Sequence, residues 1–332
     1  MDYKTRTVLY KDVETQRSTK VLAYATSDRA GMETTIALDC VDLFVDLLDK
    51  IGPTKKISLI LHANGGQPLA AWRIVNLLRT FCDELEVLIP MKALSAGTLI
   101  SIGADRLVMT KQAALGPIDP SVVNNPLNPS VNVSGQMMRV PVSVENVLGY
   151  LHAAKSELNI KSEKHLASIL QHLSSQVHPL VLGEVFRSRA QIRFLADKLL
   201  KSQVKDAKKI KSIISFLCAD SGGHDYTINR REAKELGLNV ETPNSKIYDL
   251  LRAIHLSCSE EMKLLEPYSQ QVELGTSTTV QYRHVRGLLE DASGGCYQFL
   301  SQGTLTKATA QSPMGPQVAI SDQRTSESWR KI

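Results

Sequence analysis

The chain of 332 residues is poor in aromatic side chains and in cysteine, and each scarcity excludes a class of protein. Phenylalanine, tryptophan and tyrosine make up 5% of the residues, so we expect an aliphatic core. The five cysteines are widely spaced, and the sequence contains neither a CxxC pair nor a cysteine–histidine pair at zinc spacing. This pattern argues against a disulfide scaffold and a zinc module, and it predicts reduced thiols in a cytoplasmic protein.

Long apolar runs and charge of one sign are also scarce. No run of about 18 apolar residues occurs, so we expect no membrane span. The formal net charge is +5, and the lysines of residues 205–211 have no aromatic residues between them, so we expect no nucleic-acid partner. No GxGxxG fingerprint follows a predicted strand, so we expect no dinucleotide; we predict neither a cofactor nor a metal.

Two glycine-bearing segments lie one structural repeat apart in the chain. The first is an apolar run ending in Asn64-Gly65-Gly66, and the second is an apolar run that leads to Ser95-Ala96-Gly97. Both patterns predict a buried strand, a turn of small residues and the start of a helix. A serine on such a turn is often only a helix N-cap. Facing free backbone N–H groups, however, it has the basic apparatus of acyl-transfer chemistry.

Further segments follow these two at characteristic distances, and their sequences are Gly-Ala-Asp-Arg-Leu-Val-Met at 103–109, Leu-Gly-Pro-Ile-Asp-Pro at 115–120 and the stretch 225–238. In this order and spacing, the segments resemble the serine dehydrogenase proteinase family. These Clp/crotonase-fold serine peptidases are related to the Clp protease catalytic subunit and signal peptide peptidase A. The resemblance covers about residues 20–240. It implies an α/β spiral of ββα units with a helical handle, to which this chain adds a small C-terminal extension.

The resemblance also implies roles for particular residues. Ser95 matches the nucleophile of a serine endopeptidase, and the N–H groups of Gly65, Gly66 and Ala96 match its oxyanion hole. The implied partners are a peptide or protein substrate and further copies of the same chain, because relatives form trimers or larger rings.

The general base is where this sequence departs from the Clp pattern, since residues 115–120 contain no histidine. One alternative is His178, which precedes a predicted long helix as the Clp histidine does; residues 117–176 are then an insertion, and Asp225 orients the imidazole. A second is a lysine dyad with Lys155, similar to signal peptide peptidase A. A third is Asp119. His62 lies in a predicted core strand, where we expect it only to pack.

The domain organisation follows from composition and periodicity. We expect a Clp/crotonase-like domain over 1–242, with a Pro- and Asn-rich loop at 117–142 and helices over 143–203, then a helix and hairpin over 243–305 and a disordered tail over 306–332. The domain is expected to open with two strands, 6–10 and 20–26.

Two rival functions remain open at this point. A crotonase-type enzyme acting on acyl thioesters also uses backbone oxyanion donors, but it needs no nucleophilic serine at position 95. A catalytically inactive Clp-fold oligomer that serves as an interaction protein would account for the absence of a histidine near Asp119.

Overall fold

The chain forms two structural units in the computed structural model, which describes residues 2–119, 121–123, 125–133, 136–220, 225–312 and 315–332. Unit 1 consists of Met1–Leu115 and Ile228–Ile332, and unit 2 is Gly116–Thr227. The residues of the predicted nucleophile turn and Gly-Gly turn all belong to unit 1.

The strands and helices are numbered in chain order. The strands are β1 Lys20–Thr26, β2 Thr54–His62, β3 Cys82–Ile89, β4 Lys92–Ala93, β5 Arg106–Met109, β6 Ala114–Leu115, β7 Ser121–Val122, β8 Ser130–Val133, β9 Gln136–Arg139, β10 Val142–Ser143, β11 Ile228–Asn229, β12 Val240–Glu241, β13 Thr279–Asp291, β14 Cys296–Ser312 and β15 Gly315–Lys331. The helices are α1 Tyr3–Arg17, α2 Val41–Ile51, α3 Pro68–Phe81, α4 Ala96–Ile102, α5 Val144–His152, α6 Glu163–Gln176, α7 Pro179–Leu200, α8 Ala207–Ser215, α9 Arg230–Glu235, α10 Ser245–Met262 and α11 Gln270–Leu274.

The large sheet of unit 1 has the strand order β12-β5-β3-β2-β1-β13-β14-β15. Strands β12, β5, β3, β2 and β1 pair in parallel, and β13, β14 and β15 continue the sheet in antiparallel. Strand β2 is buried on both faces from Ile57 to His62, as expected for a central parallel strand. The alternation of strands and helices therefore produces the parallel sheet expected from the sequence.

A second, small sheet makes each repeat a ββα unit. After β2, Ala63 forms a parallel bridge with Ala93 before α3 begins. After β3, β4 pairs in parallel with β6, and α4 follows β4. This arrangement is the Clp/crotonase-like spiral that the resemblance implies, and the predicted fold class is confirmed.

Helices cover both faces of the large sheet. Tyr10 of α1 and Ile254 of α10 share one buried cluster with Ile60 of β2. On the other face, Phe44 of α2 contacts Tyr24 of β1, with ring centroids 5.4 Å apart. Because successive side chains of a strand alternate between faces, His62 points to the α10 side, as Ile60 does.

The predicted opening strand at 6–10 is wrong, because these residues belong to helix α1. The side chain of Asp2 caps this helix by accepting from the N–H of Thr5. Its buried face carries Arg6, whose guanidinium donates two hydrogen bonds to Glu290 of β13, at 2.9 and 2.5 Å. The hydroxyl of Tyr10 donates to the same carboxylate at 2.7 Å. A fully buried charge pair of this kind fixes α1 to the sheet, since losing one partner costs about 3–5 kcal/mol.

The hairpin predicted within 243–305 is present as β13 and β14, but the predicted disordered tail at 306–332 is wrong. Strand β14 continues to Ser312, and β15 pairs with it in antiparallel register. Trp329 of β15 packs against Phe299, with centroids 5.5 Å apart, and also contacts Tyr24. The segment is polar in composition, but it is ordered by the hydrogen bonds between β14 and β15 and by the aromatic contact of Trp329.

Unit 2 contains the region expected to be an irregular loop at 117–142. Within its described residues, β7 pairs with β10 and β8 with β9, so short strands replace part of that loop. Val122 and Val142 pack with Val147 of α5 and Val181 and Val185 of α7 in one buried cluster.

Candidate active site

Ser95 occupies a strained turn between β4 and α4. Its backbone has φ +50° and ψ −109°, a combination that L-residues with a side chain rarely adopt. Hydrogen bonds hold the turn on both sides: Leu94 N–H donates to Ala63 O at 2.9 Å, and Leu99 N–H donates to Ser95 O at 3.0 Å. A serine held on a sharp, strained strand-to-helix turn is the geometry of the nucleophile in several hydrolases.

The Ser95 hydroxyl does not cap the helix, although Ser95 is in the N-cap position. Within the described part of the chain its Oγ forms no hydrogen bond, and the residue is half-buried. The N-cap interpretation therefore does not account for this serine, and its hydroxyl is available for chemistry.

The Gly-Gly turn lies directly against Ser95. A Cβ placed on Gly65 would be 3.0 Å from Ser95 Cβ and 3.4 Å from its Oγ. Gly65 and Gly66 have φ values of +141° and +148°, which favour glycine. A Cβ on Gly66 would lie 2.1 Å from Ile36 O, because Ile36 forms a parallel bridge with this turn.

The backbone hydrogen bonds of the Gly-Gly turn leave some of the nearby N–H groups without an acceptor. Ile36 N–H donates to Gly65 O at 2.9 Å, and Gln67 N–H donates to Ile36 O at 2.8 Å. Among the residues that the structure describes, the N–H groups of Gly65, Gly66 and Ala96 have no acceptor. The sequence-predicted Ser95, Gly65, Gly66 and Ala96 are thus brought together within unit 1.

The candidate bases lie in unit 2. His178 is exposed at the N-cap of α7, where its Nδ1 accepts from Leu180 N–H at 3.2 Å. Lys155 and Asp225 are exposed, and Asp119 is buried. Across the described residues no hydrogen bond or ion pair joins His178 to Asp225. The assignment of the general base stays a prediction.

His62 has polar neighbours that its predicted packing role did not include. The residue is buried on the α10 side of β2, and its Nε2 lies 3.6 Å from Asp28 Oδ1. Its ring contacts that of His255 in α10, with centroids 5.0 Å apart. Ala63, the next residue, faces the opposite way: its Cβ would be 3.6 Å from a Cβ on Gly97 of α4. His62 therefore points away from the helix that begins at Ser95.

The remaining expectations concern cysteines, metals and membranes. Cys40, Cys82, Cys218, Cys258 and Cys296 are all free and buried. Three or more His, Cys, Asp or Glu side chains placed to hold a metal ion do not occur among the described residues. Within the same residues, no helix has both the length and the apolar character needed to cross a membrane.

Comparison with known proteins finds a similarity to one family of serine proteinases. Residues 36–148, which include the Gly-Gly turn and Ser95, match the family described as ClpP-like SDH-type serine proteinase. The resemblance inferred from the sequence is thereby confirmed. The chain is similar to serine peptidases of this family, and its ββα architecture agrees with the match.

Two uncharacterized proteins of Methanocaldococcus jannaschii are sequence relatives. MJ0137 is 30% identical over 188 residues, which are 57% of this chain and 54% of that protein. This chain thus spans about half the length of MJ0137. MJ1495 is 27% identical over 248 residues, which are 73% of both proteins.

Two solved structures are similar at low identity. A mutant of the 1510-N membrane-bound stomatin-specific protease is 14% identical, with a TM-score of 0.38, over 65% of this chain and 79% of that one. A ClpP1 mutant from Listeria monocytogenes is also 14% identical, with a TM-score of 0.36, over 72% of this chain and 99% of that one. At these TM-scores, the fold assignment depends on the strand order and the family match.

Proposed function

We propose that this chain is a serine endopeptidase that hydrolyses peptide bonds through an acyl-enzyme on Ser95. The observation that carries the proposal is the position of Ser95. Its backbone is strained, its hydroxyl forms no hydrogen bond within the described residues, and it lies beside the free N–H groups of the Gly-Gly turn. The surrounding hydrogen bonds keep the strained backbone of Ser95 in one conformation before substrate arrives.

The proposed reaction has two steps. Ser95 Oγ attacks the scissile carbonyl carbon, its proton passes to the general base, and the peptide C–N bond breaks as the amine leaves with that proton. Water then hydrolyses the acyl ester and restores the serine. The N–H groups of Gly66 and Ala96, with Gly65 beside them, would stabilise the oxyanion, each by about 3–4 kcal/mol. We assign the base to His178 with Asp225 as its orienting carboxylate, and keep Lys155 as the alternative.

Labelling with a fluorophosphonate probe tests the nucleophile. We expect one adduct, located on Ser95 by peptide mapping, because only an activated hydroxyl attacks the probe rapidly. Ser95→Ala should not be labelled. Ser18→Ala is the matched control, since Ser18 is an exposed serine of unit 1 that also has positive φ, +49°, and it should be labelled like the unaltered chain. Adducts on other serines, or equal labelling of Ser95→Ala, would contradict the proposal; no labelling would favour an inactive interaction protein.

We also propose that the chain forms a homo-oligomer through helix α7. Phe186 and Phe194 of this helix are 44% and 58% exposed, and Leu180 at its start is 67% exposed. Exposed apolar surface of this kind commonly marks an interface. Light scattering is expected to give a multiple of the 36.6 kDa chain mass, and Phe194→Ser should lower that multiple. A monomer at micromolar concentration would contradict this prediction.

A further inference from the structure

Unit 1 contains a cavity of about 340 Å³, lined by both polar and apolar residues, that the proposed peptidase chemistry does not use. Asp28, His62, Lys92 and Gln112 line it, each at or just after the carboxyl end of a parallel strand, β1, β2, β3 and β5 respectively. His255 of α10 also lines it, beside His62. In open α/β sheets, ligands bind outside the carboxyl ends of the strands, which is where this cavity lies.

Several buried polar atoms in this cavity have no partner. His62 is 5% exposed, and in the described part of the chain neither of its ring nitrogens forms a hydrogen bond. The same holds for Asp28 Oδ1 and Gln112 Oε1. The 3.6 Å between His62 Nε2 and Asp28 Oδ1 is too long for a hydrogen bond. Buried polar atoms without partners are rare and costly, so a group of them around one cavity indicates an occupant with hydrogen-bonding groups of its own. The two oxygens require donors, and the imidazole of His62 has at least one N–H to donate.

The fixed charges of the cavity are balanced. Lys92 Nζ pairs with Asp28 Oδ2, and an ammonium group has further N–H donors to offer. Burial, reinforced by the neighbouring His62, lowers the pKa of His255 to about 4, so this ring is uncharged at neutral pH. A ligand with only a positive charge would be repelled by Lys92, and one with only a negative charge would be repelled by Asp28. A ligand that carries both charges can interact favourably with both residues.

Apolar side chains complete the lining. Met91 precedes Lys92, and Leu264 and Leu265 follow α10, all three on the cavity wall. The site therefore combines two opposite charges and unused acceptors with an apolar surface.

We propose that this cavity binds a free α-amino acid with an apolar side chain. Its α-ammonium group would donate to Asp28 Oδ1 and Gln112 Oε1, and its carboxylate would accept from Lys92 Nζ. The apolar side chain would pack on Met91, Leu264 and Leu265. The site is separate from Ser95, because His62 points away from the helix that begins there. It is nevertheless close in the chain, since Lys92 precedes Ser95 by three residues, which span about 11 Å at most.

Calorimetric titration of the full chain with three probes tests the proposal. L-leucine carries both charges, N-acetyl-L-leucine lacks the ammonium group, and L-leucinamide lacks the carboxylate. We expect saturable binding of leucine, and affinities about 10- to 100-fold lower for each blocked compound, because each leaves a charged partner unused. No saturable binding of leucine, or equal affinity for the three compounds, would overturn the proposal. Neither result depends on peptidase activity.

A variant pair separates recognition from a merely structural role. Lys92→Met should weaken leucine binding about 10-fold or more and should not weaken leucinamide binding, because only leucine presents a carboxylate to Lys92 and the cationic amide loses a like-charged neighbour. Lys50→Met is the matched control, since Lys50 is an exposed lysine that pairs with Asp46, and its affinities should not change. If Lys92→Met fails to fold, Lys92→Arg retains the charge and should retain leucine binding. Equal weakening of leucine and leucinamide by Lys92→Met, or loss of leucine binding in Lys92→Arg, would show that the residue does not recognise the carboxylate.

Discussion

Gly66→Ala is expected to lower kcat by about 10²–10³-fold, the loss that follows removal of one oxyanion donor. Gly66 has φ +148°, and a Cβ there would lie 2.1 Å from Ile36 O and 2.5 Å from Ile36 N. Neither backbone atom can move without breaking the bridge between Ile36 and the turn, so the turn itself must shift. The Gly66 N–H then no longer points to the place where the oxyanion forms. Steady-state kinetics on a peptide substrate, together with thermal unfolding, measure the effect.

Gly52→Ala provides the control for backbone strain alone. Gly52 also has positive φ, +70°, but nothing lies within 4 Å of a Cβ built there. We expect this variant to lose about 1–3 kcal/mol of stability and to keep its kcat. If Gly66→Ala matched Gly52→Ala in kcat, the Gly-Gly turn would have no part in catalysis.

The second large effect concerns the general base. His178→Asn is expected to lower kcat by about 10²–10⁴-fold, because it removes the group proposed to accept the serine proton. Asparagine is chosen because its side chain can still accept from Leu180 N–H and cap α7, as His178 Nδ1 does. His178→Ala would also remove that cap and confuse a loss of stability with a loss of chemistry.

Lys155→Ala is the matched comparison in the same unit and at a similarly exposed position. We expect it to keep full turnover. Full turnover in His178→Asn with none in Lys155→Ala would establish the lysine dyad instead. If both variants stayed active, Asp119 would be the next residue to test.

The parts of the fold predicted well are those whose determinants are local. Helix α3 follows the Gly-Gly turn over 68–81, and strand β5 follows α4 over 106–109, in the order that the resemblance implies. Their apolar periodicity and the turns beside them are contained in short windows of sequence. The order of the ββα repeats, and with it the place of Ser95, follows from these elements.

The two errors at the ends of the chain have a common cause, which is long-range pairing. The run Val8-Leu9-Tyr10 is typical of a strand, yet the buried residues Arg6, Tyr10 and Val13 follow helical spacing. An arginine on that face is recognisable as a core residue only once Glu290 is known to oppose it. Strand β15 is likewise polar, and it is ordered by its ladder with β14 and by Trp329.

The site was predictable in its residues but not in its geometry. Ser95 and the two glycines follow from motif spacing, whereas the backbone angles of Ser95 depend on its hydrogen-bonded neighbours. The amino-acid cavity had only one signal in the sequence, namely polar residues after four apolar strands. His255, which also lines it, lies too far along the chain for spacing to reveal.

The buried pair of Arg6 and Glu290 has a consequence for synthesis. The two residues are 284 positions apart, so at about 5–20 residues per second the ribosome needs roughly 15–60 s to add the carboxylate after the arginine. During that interval α1 lacks the partner that makes its burial favourable, and β1 lacks its neighbour β13. Throughout that interval the buried face of α1 and the edge of β1 are open to contacts with other parts of the nascent chain. The large sheet of unit 1 is completed only after β14 and β15 have been synthesised, so slower translation between β1 and β13 lengthens the time for which that edge stays open.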